Sequence, residues 1–316
     1  MTMWLTTLAA SSPVAHVIDH PWFGDGSEPS HWLMSNAIFM MIIATVLTAL
    51  LIIPAAKKIA TRGSGENIDD FRAQGINANF VEAICVYLRE EVFRPIFHDD
   101  VDKYMPVLWT FFWFILMCNL LGLVPLVDLT GGLLAPFGIE INHGHGIGGT
   151  ATQSIWVTGA LAFCAFITIN VTGILKDPVG YFKHLMGGVP FSLPMVPIIA
   201  IIMIVEFIGI FVKPFALAVR LFANMSGGHI LLAVLFSFVP LLIRNLGGIG
   251  YGMALLPLLG AIAIYMLEVL VALIQAFIFT FLTGLFLGQL VHHDHEEEHG
   301  PEDYEEKPGL ESGPLA

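Results

Sequence analysis

Residues 190–240 read "PFSLPMVPIIAIIMIVEFIGIFVKPFALAVRLFANMSGGHILLAVLFSFVP", an almost unbroken apolar run. A bilayer core about 30 Å thick is crossed by about 20 helical residues. This run is far longer, so it must be strongly tilted, bent or folded as a hairpin. It also carries Glu206, Lys213 and Arg220, with Asn224 and His229 just beyond. An arginine in hydrocarbon costs about 2.5–3.5 kcal/mol on insertion scales, and a chain that keeps one there has a use for it.

The rest of the chain fits a membrane setting. It is 56% hydrophobic and 12% charged, with mean hydropathy +0.78, where soluble domains run near 25% charged. The net charge of −13 is concentrated in the tail "HHDHEEEHGPEDYEEKPGLE" and in a patch at Asp99, Asp100 and Asp102, which argues against nucleic acid as a partner. Cys85, Cys118 and Cys164 lack CxxC spacing and read as small buried hydrophobes. The N-terminus has small residues but no Lys or Arg to make the n-region of a signal peptide.

Working outward, further apolar spans fall at 32–53, 105–126 and 155–175, and a second overlong run at 252–290. Residues 1–31 precede them, and 291–316 form a His-rich acidic tail, disordered by composition. The basic residues set the orientation. Lys57, Lys58, Arg62, Arg72, Arg89, Arg94, Lys103, Lys176, Lys183 and Lys307 fall on one side, and only Arg244 on the other. The lysine-rich side and the C-terminus are therefore cytoplasmic and the N-terminus is outside, which needs an odd number of crossings and favours five. The whole reads as an all-α polytopic membrane protein with one membrane domain, 32–290. Within the basic loop, Phe80, Ile84, Tyr87, Leu88 and Val92 recur at helical spacing. They predict an amphipathic helix on the cytoplasmic surface.

On a straight helix Glu206, Lys213 and Arg220, seven apart, drift only about 20° per step. Asn224 stays about 40° from Arg220, so one face carries a polar stripe. His229 lies about 180° round from Arg220 and points to a neighbouring helix. In the last run Glu268, Gln275 and Gln289 form a second stripe, joined by Tyr265. Arginine keeps its proton in any protein setting, so Arg220 suits a fixed charge and not a proton carrier. Glu268 and His229 can titrate and suit proton relay. Glu206 is about 21 Å from Arg220 along the helix, so the arginine's partner belongs on another chain.

Three stretches carry a resemblance: "KPFALAVRLFANMSGGH" (213–229), "LIQAFIFTFLT" (273–283) and "YMPVLWTFFWFILMCNLLGLVP" (104–125). In this order they resemble the subunit a family of F-type ATP synthases, the stationary half of a membrane proton turbine, from about residue 80 to 290. The resemblance implies that Arg220 faces a rotating ring of c subunits, with Asn224 and Gln275 as polar neighbours. It implies that Glu206 lines a proton path, and that His229 and Glu268 form the titratable pair of the inlet half-channel, a pair whose types some members exchange. It further implies that the two overlong runs form a tilted hairpin against the ring. The implied partners are protons, the lipid bilayer, the c-ring and the b-type peripheral stalk of the F-type complex, in a bacterial inner (plasma) membrane. The third span opens "GGTATQSIWVTGALA", departing from the family's Thr-Ala-Asn/Asp pattern, and Gln153 and Ser154 receive no role.

No Walker A loop and no HExxH motif occurs, so the chain is expected to hydrolyse no nucleotide and to need no cofactor or metal. The function expected is a non-catalytic proton-channel subunit. The rival is a metal-cation transporter that collects ions on the "HGH" loop and "HHDH" tail and ligates them at Glu268. That reading requires further carboxylates or histidines in pairs at midplane, and the spans show none.

Overall fold

The computed structural model describes residues 21–23, 34–60, 75–124, 151–185 and 196–291. Expectations for the rest of the N-terminal segment, for the outer loop up to residue 150 and for the tail fall outside the described residues. Apart from a short antiparallel strand pair, Pro21–Phe23 with Met34–Ser35, the described chain is helical. Its helices are α1 (Asn36–Ala60), α2 (Ile76–Tyr87), α3 (Val101–Leu123), α4 (Ile155–Lys176), α5 (Pro178–Leu185), α6 (Val196–Leu246), α7 (Gly248–Met253) and α8 (Leu255–Val291). A six-residue π-helical stretch, Leu88–Phe93, and a single turn, Arg94–Phe97, follow α2. Among the described residues, five helical stretches are long and apolar enough to cross a membrane.

One of those five, Ile76–Leu123, is not a single rod. Trp109 Nε1 donates to the Cys85 carbonyl at 3.2 Å and Trp113 Nε1 to Cys85 Sγ at 3.4 Å. A straight helix would hold residues 85 and 109 about 36 Å apart. The chain therefore folds back between them, at His98, which takes φ 46. The corner is tied by charge. Arg89 grips Asp102 through Nε (2.7 Å) and a second guanidinium nitrogen (3.0 Å), Glu90 pairs with Arg89 and Arg94, and Lys176 of α4 reaches Asp100 at 3.2 Å. The hydrogen bond from Arg89 holds the Asp102 carboxyl below its ordinary range, and that from Arg94 does the same for Glu90.

The surface helix exists, with Ala78, Val81 and Leu88 buried and Phe80 and Tyr87 55% and 56% exposed. One expectation needs correction. The first span does not stop at Pro54, because α1 continues to Ala60. Its last turn carries Lys57 and Lys58, which complement the negative end of the helix dipole. Other helix ends differ by a few residues from the apolar runs: the helix that carries the 105–126 span starts one turn before it, at Val101, and the 252–290 run becomes a helix from Leu255.

The core joins α3 to α8, with Phe111 and Phe279 rings 5.8 Å apart and Phe93, Phe97 and Trp113 fully enclosed. Helices α6 and α8 run antiparallel around the turn at Gly247 (φ 56), a left-handed conformation suited to glycine. Helix α6 has 51 residues and spans about 77 Å. Nearly all of its apolar residues are left unburied by the rest of the chain. Lipid or another protein must cover them.

Candidate functional site

The register of the α6–α8 hairpin decides which polar side chains meet. Asn224 Nδ2 donates to Gln275 Oε1 at 2.8 Å, and His229 Nδ1 lies 2.8 Å from Glu268 Oε1. Both contacts straddle the same turn, so they belong to one antiparallel register. Three polar groups are then strung along the hairpin.

Nearest the turn is the His229–Glu268 pair. Glu268 is 4% exposed, and its carboxylate has no hydrogen-bond donor in good geometry among the described residues. His229 Nδ1 also lies 3.0 Å from the Met225 carbonyl, and Nε2 lies 3.1 Å from the Gly122 carbonyl. Both ring nitrogens thus face acceptors, and only the imidazolium can donate from both. The register thus brings a histidine of α6 and a carboxylate of α8 within ion-pair distance.

The space for that carboxylate comes from Gly228. A Cβ there would stand 2.6 Å from Glu268 Oε1 and 2.9 Å from its Cδ. The end of α3 closes the other side. Asn119, fully buried, donates to the Ala272 carbonyl of α8 at 3.3 Å and accepts from Thr152 Oγ1 at 2.8 Å, while Tyr265 OH reaches the Leu123 carbonyl at 3.4 Å. Buried polar side chains in an apolar core need such partners. The Gln153 side-chain nitrogen and Ser226 Oγ, also buried, have none among the described residues.

At the centre is Arg220. It is exposed, about 160° round α6 from the buried Ala218 and about 100° from the buried Leu221. Glu206, the nearest acidic residue on α6, is about 21 Å away along the helix axis and contacts Lys213 instead. Its neighbours Phe215 and Val219 are exposed and apolar. Gln275, across the hairpin, is 1% exposed and its side-chain nitrogen lacks a partner among the described residues.

Toward the open ends of the hairpin is a third group. Lys213 Nζ lies 3.5 Å from Glu206 Oε1 and 5.1 Å from the centre of the Phe286 ring. Glu206, Lys213 and Gln289 line a small pocket of about 40 Å³ with Asn170 of α4 and Tyr181 of α5. Along the axis, Arg220 stands about 14 Å from His229 on one side and about 21 Å from Glu206 on the other.

The sequence-predicted residues Arg220, Asn224, Gln275, His229, Glu268 and Glu206 therefore fall in three places on one hairpin. Two features were not read from the sequence. Asn119 and Thr152 come from other helices, and nothing local marks them as meeting. Gly228 sits inside the quoted motif, but a glycine's use as space shows only once its neighbour is known. No group of three or more His, Cys, Asp or Glu side chains suited to a metal ion occurs among the described residues.

The family model described as ATP synthase A chain matches residues 38–288. Three proteins named ATP synthase subunit a are similar. One from Anaeromyxobacter sp. is 38% identical over 267 residues, covering 83% of this chain and 55% of that protein. One from Myxococcus xanthus is 35% identical over 325 residues, covering 98% and 91%. One from Maricaulis maris is 32% identical over 290 residues, covering 91% and 100%. The chain thus spans little more than half the length of the Anaeromyxobacter relative and nearly all of the other two.

Proposed function

Since the chain belongs to the ATP synthase A chain family, we propose that it is the stationary, non-catalytic proton-conducting subunit of an F-type ATP synthase, working against a c-ring and held by a b-type stalk in a bacterial inner membrane. The observation that carries this is Arg220: a permanent cation, exposed on a polar stripe of an otherwise apolar α6, with no counter-ion near it along the helix and a titratable group on either side. A buried or lipid-facing charge of that kind needs a partner, and a carboxylate brought past on another subunit supplies one.

With the C-terminus cytoplasmic, the hairpin turn faces outside and the His229–Glu268 pair lies on the inlet side. A proton held there neutralises a ring carboxylate, and the neutral carboxyl can face lipid. When the ring brings it to Arg220, the guanidinium stabilises the ionised form. The released proton leaves past Glu206. Arg220 also repels a proton moving straight from one half-channel to the other. Each charge that crosses 100 mV contributes about 2.3 kcal/mol, so several must pass for each ATP made elsewhere in the complex.

The test is coupling. Arg220→Ala is expected to abolish gradient-driven ATP synthesis while ATP hydrolysis by the soluble motor continues and passive proton leak persists or rises. Arg220→Lys should also fail, because an ammonium can lose its proton and lacks the guanidinium fork. Normal coupled synthesis by either variant in assembled complexes would overturn the proposal.

A further inference from the structure

The pocket at the open end of the hairpin is closed by α5, and the way α5 is fixed there is specific. Helix α4 stops at Lys176, and the Asp177 carboxylate caps the next helix, accepting from the amides of Val179 (3.0 Å) and Gly180 (2.8 Å). This sets Tyr181 one turn into α5, lying back against α4. Its hydroxyl donates to Asn170 Oδ1 at 2.7 Å, and Asn170 Nδ2 donates in turn to the Phe166 carbonyl at 2.7 Å. The ring fits because residue 173 is glycine: a Cβ there would lie 3.1 Å from Tyr181 Cδ2 and 3.1 Å from Leu290 Cδ1.

With its one proton given to Asn170, the phenol oxygen can meet any further group only as an acceptor. The pocket, about 40 Å³, has room for a water molecule and offers the several polar partners a water needs. Glu206 and Lys213 line the same pocket. After burial, the charge of Glu206 is the next influence raising the pKa of Tyr181, so the two groups are in electrostatic reach.

Resting on the function proposed above, we propose that Tyr181, held by Asn170, is a positioning residue of the cytoplasmic outlet. Its hydroxyl oxygen orients the pocket water toward Glu206 so that a proton leaving Glu206 passes to solvent. Tyr181 does not itself carry the proton. It fixes the hydrogen-bond direction of the water that does.

The test uses assembled complexes in membrane vesicles stripped of the soluble motor, with proton conduction measured per assembled chain. Tyr181→Phe keeps the ring and removes the hydroxyl, and should slow conduction about three- to tenfold, the size of one lost neutral hydrogen bond. Asn170→Leu should give a similar loss, and the double variant no more than the larger single, because the two act as one unit. A cysteine placed by Gln289→Cys should react more slowly with a membrane-impermeant thiol reagent when Tyr181→Phe is present. Tyr251→Phe, the same deletion on the exposed hairpin tip, should change nothing. Unchanged conduction in Tyr181→Phe, additive losses, or a loss explained wholly by poorer assembly would each overturn the inference. Any of these alongside an uncoupled Arg220→Ala would leave the proposed function standing, whereas a coupled Arg220→Ala would remove that function and this inference with it.

Discussion

Gly228→Ala tests whether the His229–Glu268 contact is used, because the structure makes it a steric wedge between the two. The added methyl would stand 2.6 Å from Glu268 Oε1, 2.9 Å from Cδ and 3.2 Å from Cγ. The whole end of the side chain must therefore move, and it has little freedom at 4% exposure. Moving it lengthens the 2.8 Å approach to His229. A misplacement of about 1 Å between reacting groups can cost about 100-fold, so ATP-driven proton pumping should fall by about that order if the loss is felt fully in the proton-transfer step. Assembly should not suffer from helix propensity, since alanine favours a helix over glycine by about 0.5–1 kcal/mol. Gly159→Ala on α4 is the internal control: a Cβ there meets nothing within 4 Å, so it should pump normally. Adding Glu268→Asp to Gly228→Ala withdraws the carboxylate by about 1.5 Å, one carbon–carbon bond, and should recover part of the activity. The assay is pumping into inverted membrane vesicles, normalised to assembled complex. Wild-type pumping by Gly228→Ala, or equal loss in Gly159→Ala, would refute the reasoning.

How far the sequence could be read depended on whether the deciding partner was local. The helices of the hairpin were legible because two apolar runs exceed what an upright crossing can use, and the 190–240 run becomes α6 with little change. That His229 turns away from Arg220 toward another helix followed from helix arithmetic alone, and Glu268 is what it meets. The helical spacing of α2 was legible, but not that Ala78 and Val81 are among its buried residues. The fold-back at His98 was not legible. It depends on a left-handed residue within a polar stretch and on Trp109 and Trp113 reaching Cys85 across 24 and 28 residues. Asn119 and Thr152 were missed for the same reason: their roles come from a hydrogen bond between elements 33 residues apart.

Two further expectations follow from particular contacts. His229→Glu and Glu268→His each leave two like groups in contact, which drives their titrations apart and spoils a relay. The double exchange should pump better than the worse single variant in a double-mutant cycle, and simple additivity would mean the two act independently. The second concerns the corner at His98, where Arg89 and Asp102 tie the two arms. Asp102 has its carboxyl pKa lowered by that guanidinium, so the folded value lies below the unfolded one. Such a group stabilises the fold fully above the unfolded value, about 4, and the contribution fades as pH falls through the folded value. Asp102→Asn should therefore melt below wild type at a constant offset from pH 8 down to about 5, and the offset should close in more acidic buffer. Because the pair is exposed, the offset should also shrink in high salt. An offset that widens on acidification, in thermal melts of the purified complex, would mean that the corner is held by something other than this ion pair.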